Sequence, residues 1–288
     1  MPARRRHSYD NLILLCANHH TIVDRQWRHY SVEHLRGWKA DHEAWVRAGT
    51  STAPSALQWT AIVQEDPRRM DIAEAACALG DGNCVAASTQ LRGPADEDRR
   101  AIEALLTTTP AKRRRFAVFS TGRIPLAVQL GFVLGDRARV ELFHYHRDEG
   151  TWRWPAQEAG GIEEVDVTVR RRRGGAPREA AIRVSLSARV PADAVKEEVD
   201  VEIAVANPSV RWLRNAEQLK ELARAYERAL AAIRERGIRR VHIYYAGPAA
   251  GAVCLGRAYN PRMNAKAVVY DYKRGAYHAG VTLDGVSS

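Results

Sequence analysis

The feature that most constrains the fold of this chain is an internal repeat in its second half. Residues 118–134, VFSTGRIPLAVQLGFVL, match residues 243–259, IYYAGPAAGAVCLGRAY, at a constant offset of 125 residues. A further match lies two residues out of that register, between FHYHR at 143–147 and YDYKR at 270–274. Each copy has the pattern of a strand, a glycine turn, a helix and a second strand. The repeat therefore predicts an α/β fold with two Rossmann-like halves related by a pseudo-two-fold axis.

The glycine of each turn, Gly122 in the first copy and Gly247 in the second, has a chemical consequence. A glycine turn between a parallel strand and a helix exposes backbone N–H groups and the positive end of the helix dipole at one edge of the sheet. Two such edges that face each other form a cleft that receives two anions, and a ligand with repeated phosphates suits that symmetry. The alternative, an αβ core of two halves without any ligand, stays open at this point.

The rest of the chain divides into regions of different composition. Residues 1–48 predict a short strand, a turn and an amphipathic helix that begins at the N-cap Ser31. Residues 49–56, GTSTAPSA, have the small residues and the proline of a linker. Residues 57–113 have apolar residues at helical spacing between Gly and Pro breakers, and predict a helical connector. The α/β domain then occupies residues 114–286.

Between its two repeat copies the α/β domain contains further candidate elements. Alternating apolar runs at 165–169, 180–186 and 199–205 predict three strands of a meander or hairpin. A long amphipathic helix comes next, with Asn215 as its N-cap and Gly237 at its C-terminal end. We expect the apolar side chains of this helix to face the core: Leu219, Leu222, Tyr226, Leu230 and Ile233.

Composition and charge narrow the class of protein. The chain has 288 residues and no run of about 18 apolar residues, so the sequence predicts no contact with a membrane. Its four cysteines lack the spacing of a disulfide framework, which fits the reducing cytosol and predicts a cytoplasmic protein. The net charge of +10 favours a polyanionic partner such as nucleic acid, although an arginine-rich composition alone gives the same charge.

A second motif, NLILLCANHHTIVD near the N-terminus, contains the residue types of a metal-dependent nuclease. Asp24 lies one helical turn beyond His20, so that both side chains are able to face one divalent metal ion. Cys16 and His19 have the C-x-x-H spacing of half a structural Zn²⁺ site. These four residues, with Asn11 before them, are the candidate catalytic and metal-binding residues of the chain.

The segment SYDNLILLCANHHTIVD resembles the second strand and helix start of an HNH endonuclease, whose fold is a ββα-metal unit, and the later segment YSVEHLRGWKADHE is also typical of such units. The resemblance implies that Asn11 orients a catalytic histidine and that His20 holds Mg²⁺ or a similar divalent ion. In HNH enzymes the histidine that activates water, and the cysteines that complete the zinc site, lie on a strand further upstream. His7 is only four residues before Asn11, too close for a hairpin partner. We therefore expect either that the chain as given starts late or that its nuclease is degenerate.

The internal repeat carries another resemblance. Its halves, FSTGRIPLAVQLG…FHYHRDEGTWRWP and HIYYAGPAAGAVCLGR…AVVYDYKRGAY, resemble the SAVED domain over about residues 114–284. The resemblance implies a fused pair of CARF-like halves that binds a cyclic oligonucleotide second messenger. It also implies an attached effector that is activated by assembly. SAVED domains occur in the effectors of CBASS, a bacterial anti-phage defence, and an HNH endonuclease is one of their common fusion partners.

By motif, the SAVED resemblance places ligand-binding residues at both turns and on neighbouring strands. Arg123 is the strongest single candidate, because an arginine between a glycine turn and a helix start is poorly suited to a core. The aromatic candidates are base-stacking or wall residues, and ordinary core packing is the open alternative for each of them. The candidates are Ser120, Thr121, Gly122, Arg123, Trp152, Tyr245, Ala246, Gly247, Pro248, Tyr270, Tyr272, Lys273 and Arg274.

The leading hypothesis is a partial HNH unit followed by a SAVED domain. Such a protein is an anti-phage effector that binds a cyclic di- or trinucleotide, assembles into a homo-oligomer and degrades double-stranded DNA. Two other functions stay open. One is a non-catalytic cyclic-nucleotide-binding regulator with a degenerate HNH unit. The other is a modification-dependent restriction enzyme, which fits the charge but not the internal repeat.

Overall fold

In a computed structural model the chain divides into two compact units. One comprises Met1–Leu57 with Gly82–Cys84, and the other comprises Gln58–Asp81 with Val85–Ser288. Within the described ranges, no helix has both the length and the apolar composition needed to cross a membrane. The residues described are 12, 13, 15, 20, 23–25, 28, 30–50 (backbone alone for 44–50), 57–65, 70–155, 164–172 and 177–284.

The first unit contains helix α1, Val32–Thr50. Ser31 precedes it, and the Ser31 Oγ accepts a hydrogen bond of 3.2 Å from the backbone N–H of His34. The predicted N-cap is therefore confirmed. On the same face, the rings of His34 and Trp38 lie 5.1 Å apart. The helix runs two residues into the predicted linker 49–56, and the remainder of that linker lies outside the described residues.

A four-stranded sheet has the order β2-β1-β3-β4. Its strand β3 is parallel to both of its neighbours, β1 and β4. The central segments read as nearly continuous apolar runs, which is typical of parallel strands covered on both faces. The strands are β1 Leu57–Gln64, β2 Asn83–Leu91, β3 Arg115–Ser120 and β4 Arg139–Phe143.

A six-stranded sheet has the order β10-β9-β8-β6-β7-β5. Its four central strands are parallel to one another, and the two edge strands are antiparallel to their neighbours. The strands are β5 Asp166–Arg171, β6 Glu179–Ser185, β7 Val199–Ala204, β8 Arg240–Ala246, β9 Lys266–Lys273 and β10 Ala276–Leu283.

Five helices of the second unit cover these sheets, and α4 packs against α6. These two helices are the repeat helices, so both predicted strand–turn–helix–strand units, β3-α4-β4 and β8-α6-β9, are confirmed. Two short 3₁₀ turns, Ala111–Arg113 and Ala192–Ala194, lie between these elements. The helices are α2 Ile72–Leu79, α3 Ala95–Thr108, α4 Ile124–Leu134, α5 Ala216–Arg234 and α6 Ala249–Ala258.

Helix α5 agrees closely with its sequence prediction. Asn215 forms a capping box with Gln218, in which each side chain accepts a hydrogen bond from the other residue's backbone N–H. The sequence predicted that the helix ends at Gly237, which has a φ of 65°, but the helix already ends at Arg234. The five apolar residues predicted to face the core are all buried: Leu219, Leu222, Tyr226, Leu230 and Ile233.

Two predictions about the sheets are wrong. Residues 57–113 are not wholly helical, because β1 and β2 lie there; the run LQWTAIVQ has the β-branched and aromatic residues that favour a strand. The predicted hairpin of the runs at 165–169 and 180–186 does not form, since β5 pairs with β7 instead of β6. Burial explains the order: β6 is almost fully buried and takes a central place, whereas the arginine-ended β5 is half exposed and suits an edge.

Candidate ligand-binding site

The two glycine turns of the repeat lie on the wall of one cavity of about 520 Å³. Ser120, Thr121 and Gly122 line this cavity from the first half, and Gly247 and Pro248 line it from the second. The prediction that both turns face a common cleft is therefore confirmed. The volume lies within the range of small-ligand sites, which is about 300–1,000 Å³.

The first turn is held by the end of strand β1. Buried Gln64 accepts a hydrogen bond of 2.9 Å from the Ser120 hydroxyl and donates one of 3.2 Å to the Leu126 carbonyl. The carboxylate of Glu65 accepts a 2.8 Å hydrogen bond from the backbone N–H of Arg123, and it lies 3.6 Å from Arg123 Nε. The Glu65 carboxylate is therefore an internal anion that already occupies the start of α4. Arg123 pairs with that anion and is not among the lining residues of the cavity, so its ligand role stays a prediction.

The second turn is more open. Within the described residues, no side-chain hydrogen bond caps α6 at its N-cap residue Pro248, and Ala249, the first residue of the helix, lines the cavity beside Gly247. Tyr245 is buried, and its hydroxyl donates a 2.9 Å hydrogen bond to the Pro248 carbonyl, so this residue supports the turn from the protein interior. An uncapped helix start carries unsatisfied N–H groups and a partial positive charge. The start of α6 is therefore the more anion-receptive of the two turns.

Two histidines just after strand β4, His144 and His146, line the cavity with their ring centroids 5.1 Å apart. Burial, reinforced by His146 and by the charge of Arg147, lowers the pKa of His144 to about 4. Burial is also the main cause of the lowered pKa of His146, whose Nε2 atom has no hydrogen-bond partner in the described part of the protein. Both imidazoles are therefore neutral near neutral pH and present a donor and an acceptor.

Five charged side chains line the cavity, and four of them form two ion pairs. Asp148 and Glu149 belong to the turn 146–151, which we call the hairpin, and Arg211 and Arg214 belong to the loop before α5. Arg211 Nε lies 2.9 Å from Asp148 Oδ2, and Arg214 Nη2 lies 3.6 Å from Glu149 Oε1. The cavity therefore contains cations suited to phosphates: Arg211 and Arg214, which are paired with carboxylates of the protein itself, and Arg147.

The sequence analysis missed these five charged residues and both histidines. A signal for Arg211 and Arg214 is present in RWLRN, where two arginines directly precede the N-cap Asn215. A signal for the histidines is the alternation in FHYHR, at the end of the strand that the repeat places beside the first turn.

Trp152 is part of the core of the first half. It is 1% exposed, and its ring meets Phe119 edge to face at 5.3 Å. Phe119 stacks in turn on Phe143 at 4.6 Å with an interplanar angle of 12°. For Trp152 the structure thus agrees with core packing, the alternative to a base-stacking role.

The second half contains an equivalent aromatic group. Tyr244 stacks on Tyr270 at 4.6 Å with an interplanar angle of 15°, and Tyr277 meets Tyr244 edge to face at 5.2 Å. The predicted equivalence of Phe143 and Tyr270 is confirmed by these matching geometries. The hydroxyls are used internally, since Tyr244 donates to Glu197 at 3.0 Å.

Three other candidates lie at the turn that joins β9 to β10. Tyr272 is 59% exposed, and its ring lies 4.9 Å from that of Tyr277. Lys273 Nζ lies 2.6 Å from Asp271 Oδ2, and Arg274 adopts a φ of 51° in the turn. None of these three residues is among the lining residues of the cavity, so a ligand role for each stays a prediction.

The N-terminal candidates are described only in part. His20 Nδ1 lies 3.0 Å from Asp24 Oδ2, and both side chains are exposed, so the predicted one-turn spacing brings the imidazole and the carboxylate together. In the described part of the chain no group of three or more His, Cys, Asp and Glu side chains is arranged to hold a metal ion. Asn11, Cys16 and His19 lie outside the described residues.

Comparison with known families gives the class of the second unit. The sequence pattern of the SAVED family, described as "SMODS-associated and fused to various effectors sensor domain", matches residues 98–283, well over half of the chain. The chain belongs to the SAVED family. The match begins inside α3, earlier than the predicted boundary at 114, so the SAVED domain includes part of the predicted connector.

Solved structures that resemble this SAVED chain share little sequence with it. The Cap4 SAVED/CARF-domain containing receptor of Acinetobacter baumannii with the cyclic trinucleotide 2'3'3'-cAAA has a TM-score of 0.51 and 17% identity, over 78% of this chain and 51% of that chain. The Moraxella osloensis Cap4 receptor has a TM-score of 0.51 and 15% identity, over 85% and 54%. The SAVED chain thus spans about half the length of these proteins, and the likeness shows the fold alone. Comparison with curated proteins gave no match.

Proposed function

We propose that this SAVED chain senses a cyclic di- or trinucleotide in an anti-phage CBASS system. The observation that carries the proposal is the cavity lined by the glycine turns of both halves. The ligand class is supported by the fold, because the similar Acinetobacter baumannii receptor is described with a cyclic trinucleotide. A ring of alternating riboses and phosphates that carries bases suits a site that has anion-receptive backbone, arginines and neutral imidazoles on the wall of one cavity.

Each part of this wall has a chemical role in the proposal. The uncapped start of α6 receives one phosphate through backbone N–H groups, as helix N-termini commonly do. Arg211 and Arg214 provide planar guanidinium groups for a second phosphate. His144 and His146 hydrogen-bond to base edges, because each neutral ring offers one donor and one acceptor.

The test is calorimetric titration of the full chain with a panel of cyclic di- and trinucleotides, including 2'3'3'-cAAA, and with their linear counterparts. Ala249→Phe places a ring in the cavity, so we expect it to abolish binding. Ala258→Phe is the matched control, because Ala258 is on the last turn of the same helix and lines a different cavity. If no cyclic nucleotide binds, or if both variants bind like the wild type, the proposed site is wrong.

We further propose that residues 1–48 belong to an HNH nuclease that cuts double-stranded DNA when the SAVED domain is occupied and the protein assembles into a homo-oligomer. Two observations support this: the motif itself, and the contact of His20 with Asp24 at 3.0 Å. Imidazole nitrogen and carboxylate oxygen are a donor set that suits divalent metal ions, so the described pair fits part of such a site. When bound, the ion would polarise the scissile phosphate. Cys16 and His19 would contribute to a structural zinc site.

The nuclease proposal is tested by incubating plasmid DNA and Mg²⁺ or Mn²⁺, with and without the activating cyclic nucleotide, with the protein extended at its N-terminus by an HNH strand that supplies the catalytic histidine. We expect DNA cutting to require both the metal ion and the cyclic nucleotide. His20→Ala should abolish cutting but leave binding of the cyclic nucleotide intact. Binding without any cutting supports instead the non-catalytic regulator. Cutting that is equal with and without the ligand contradicts the coupling of sensor and effector.

A further inference from the structure

We infer that Asp148 and Glu149 are internal substitutes for ligand phosphates, which hold Arg211 and Arg214 in the free protein and release them to an anionic ligand in the cavity. The inference rests on the proposed function for the class of ligand. It assigns Arg211 and Arg214 as phosphate-binding residues, and it makes the two carboxylates competitors of the ligand.

The two arginines are presented by a loop that is well anchored. Trp212 between them is 5% exposed, and the backbone N–H of Arg211 donates a 3.2 Å hydrogen bond to the Ser209 hydroxyl. The backbone N–H of Arg214 donates to the Gln218 side chain at 2.6 Å, which ties the loop to the capping box of α5. The guanidinium groups therefore start from a fixed backbone beside the cavity, which suits residues that bind a ligand.

The two carboxylates are presented by a segment with fewer ties. His146 and Thr151 form an isolated bridge, with mutual backbone hydrogen bonds of 2.8 and 3.3 Å. Gly150, with φ of 65°, completes the tight turn that carries Asp148 and Glu149. Because the bridge is outside the named strands, the tip of the hairpin is able to shift without breaking a sheet.

The relative strength of the contacts favours exchange. The side chains of Arg211 and Asp148 are 68% and 53% exposed, and those of Arg214 and Glu149 are 50% and 39% exposed. Exposed ion pairs contribute little net stability, because water solvates the separated charges almost as well. A phosphate offers a guanidinium group several charged oxygens in bidentate geometry, and bonds of that kind are among the strongest that arginine makes.

The experiment measures the sign of a change in affinity. The double variant Asp148→Asn/Glu149→Gln removes the competing carboxylates, so we expect it to bind the cyclic nucleotide about three- to tenfold more tightly than wild type. Arg211→Gln/Arg214→Gln should bind at least about tenfold more weakly. Glu217→Gln/Glu221→Gln on α5 is the control, because it makes the same change of net charge at ion pairs away from the cavity.

All proteins are titrated by calorimetry with the tightest cyclic nucleotide of the panel and, in parallel, with sodium pyrophosphate, which carries phosphate charge without bases. Thermal melting of each variant establishes that it is folded. If wild type binds the nucleotide but the Asp148/Glu149 variant binds no more tightly than the control, the inference is overturned and the proposed function stands. If no nucleotide binds but that variant gains affinity for pyrophosphate, the exchange stands and the proposed ligand class falls. No binding of either probe by any protein overturns both.

Discussion

Gly131 of α4 and Gly256 of α6 face equivalent points of the opposite helix. A Cβ atom on Gly131 would lie 2.0 Å from the carbonyl oxygen of Val253, and one on Gly256 would lie 2.0 Å from that of Val128. The two valines, like the two glycines, are 125 positions apart in the chain. The pseudo-two-fold axis of the repeat therefore passes through this helix crossing, and only glycine allows the backbones to approach so closely.

We expect Gly131→Ala and Gly256→Ala to destabilise the protein by similar amounts, each about 2–3 kcal/mol, because the added methyl meets backbone and not a side chain that can move. Urea unfolding followed by circular dichroism measures the change. Gly37→Ala is the control, since Gly37 lies in helix α1 with nothing within 4 Å of the added methyl. A tolerated Gly131→Ala variant would show that the crossing is looser than described.

A dependence of stability on pH arises from His144. Its pKa is lowered from an ordinary value of 6.5 to about 4, first by burial and then by His146 and Arg147. Between these two pH values the unfolded chain binds a proton here that the folded chain does not, so stability falls as the pH drops from about 6.5 to 4, by on the order of 3 kcal/mol.

We expect His144→Gln to flatten this part of the curve of unfolding free energy against pH, whereas His278→Gln at an exposed position should leave it unchanged. Denaturant unfolding at intervals between pH 7 and pH 4 provides the measurement. Parallel curves for His144→Gln and wild type would contradict the assignment.

A buried ion pair on β6 and β7 should be costly to break. Arg183 Nε lies 2.8 Å from Asp200 Oδ1, with side chains 2% and 1% exposed. Burial alone would raise the pKa of Asp200, but hydrogen bonds from Arg183 and Arg172 outweigh it and lower that pKa. We expect Arg183→Met to cost about 3–5 kcal/mol of unfolding free energy, because it leaves a buried carboxylate short of a partner.

The control for Arg183→Met is Lys220→Met, which breaks an exposed pair with Glu217 and should cost at most about 1 kcal/mol. Adding Asp200→Asn to Arg183→Met should recover part of the loss, since the uncompensated charge is then removed. Equal effects of the buried and the exposed substitution would argue against this account.

The role of Arg123 is open to a direct comparison. The SAVED resemblance predicts that Arg123→Ala weakens ligand binding by on the order of 1.5–3 kcal/mol through loss of a phosphate contact. The pairing of Arg123 with Glu65 favours a smaller effect. We expect a loss of less than about threefold for Arg123→Ala and about tenfold for Arg214→Gln, titrated with the same cyclic nucleotide. A larger loss of affinity for Arg123→Ala than for Arg214→Gln would instead support Arg123 as the main phosphate contact.

The sequence predicts the turns of the site better than its charged residues, for a physical reason. Ser120 and Gly247 are placed by local structure, because a glycine turn after a parallel strand lies at the sheet edge wherever that unit occurs. Arg211 and Glu149 reach the cavity only through the paths of loops, and no periodicity in the sequence encodes such a path. Trp152 shows a second limit of sequence analysis. An aromatic ring that is buried in the core and one that contacts a ligand have the same sequence signature.

The same kind of ambiguity explains the errors in the fold. The run IAEAACAL forms α2, as its spacing predicts, but the neighbouring strands β1 and β2 are short apolar runs that a sequence alone does not separate from buried helix. The order of the six-stranded sheet depends on which runs are covered on both faces. That is a property of the assembled layers and not of any one segment.

Because both glycine turns on the cavity wall belong to one polypeptide, a single copy presents both turns to the ligand in the proposed site. The stoichiometry we expect is one ligand per chain, whereas a pocket shared between two copies would bind one ligand per two chains. If the occupied form is the one that assembles, the half-saturating ligand concentration should fall as the protein concentration rises, because binding and assembly are linked. Titrations at several protein concentrations therefore separate the constant for recognition from the constant for self-association.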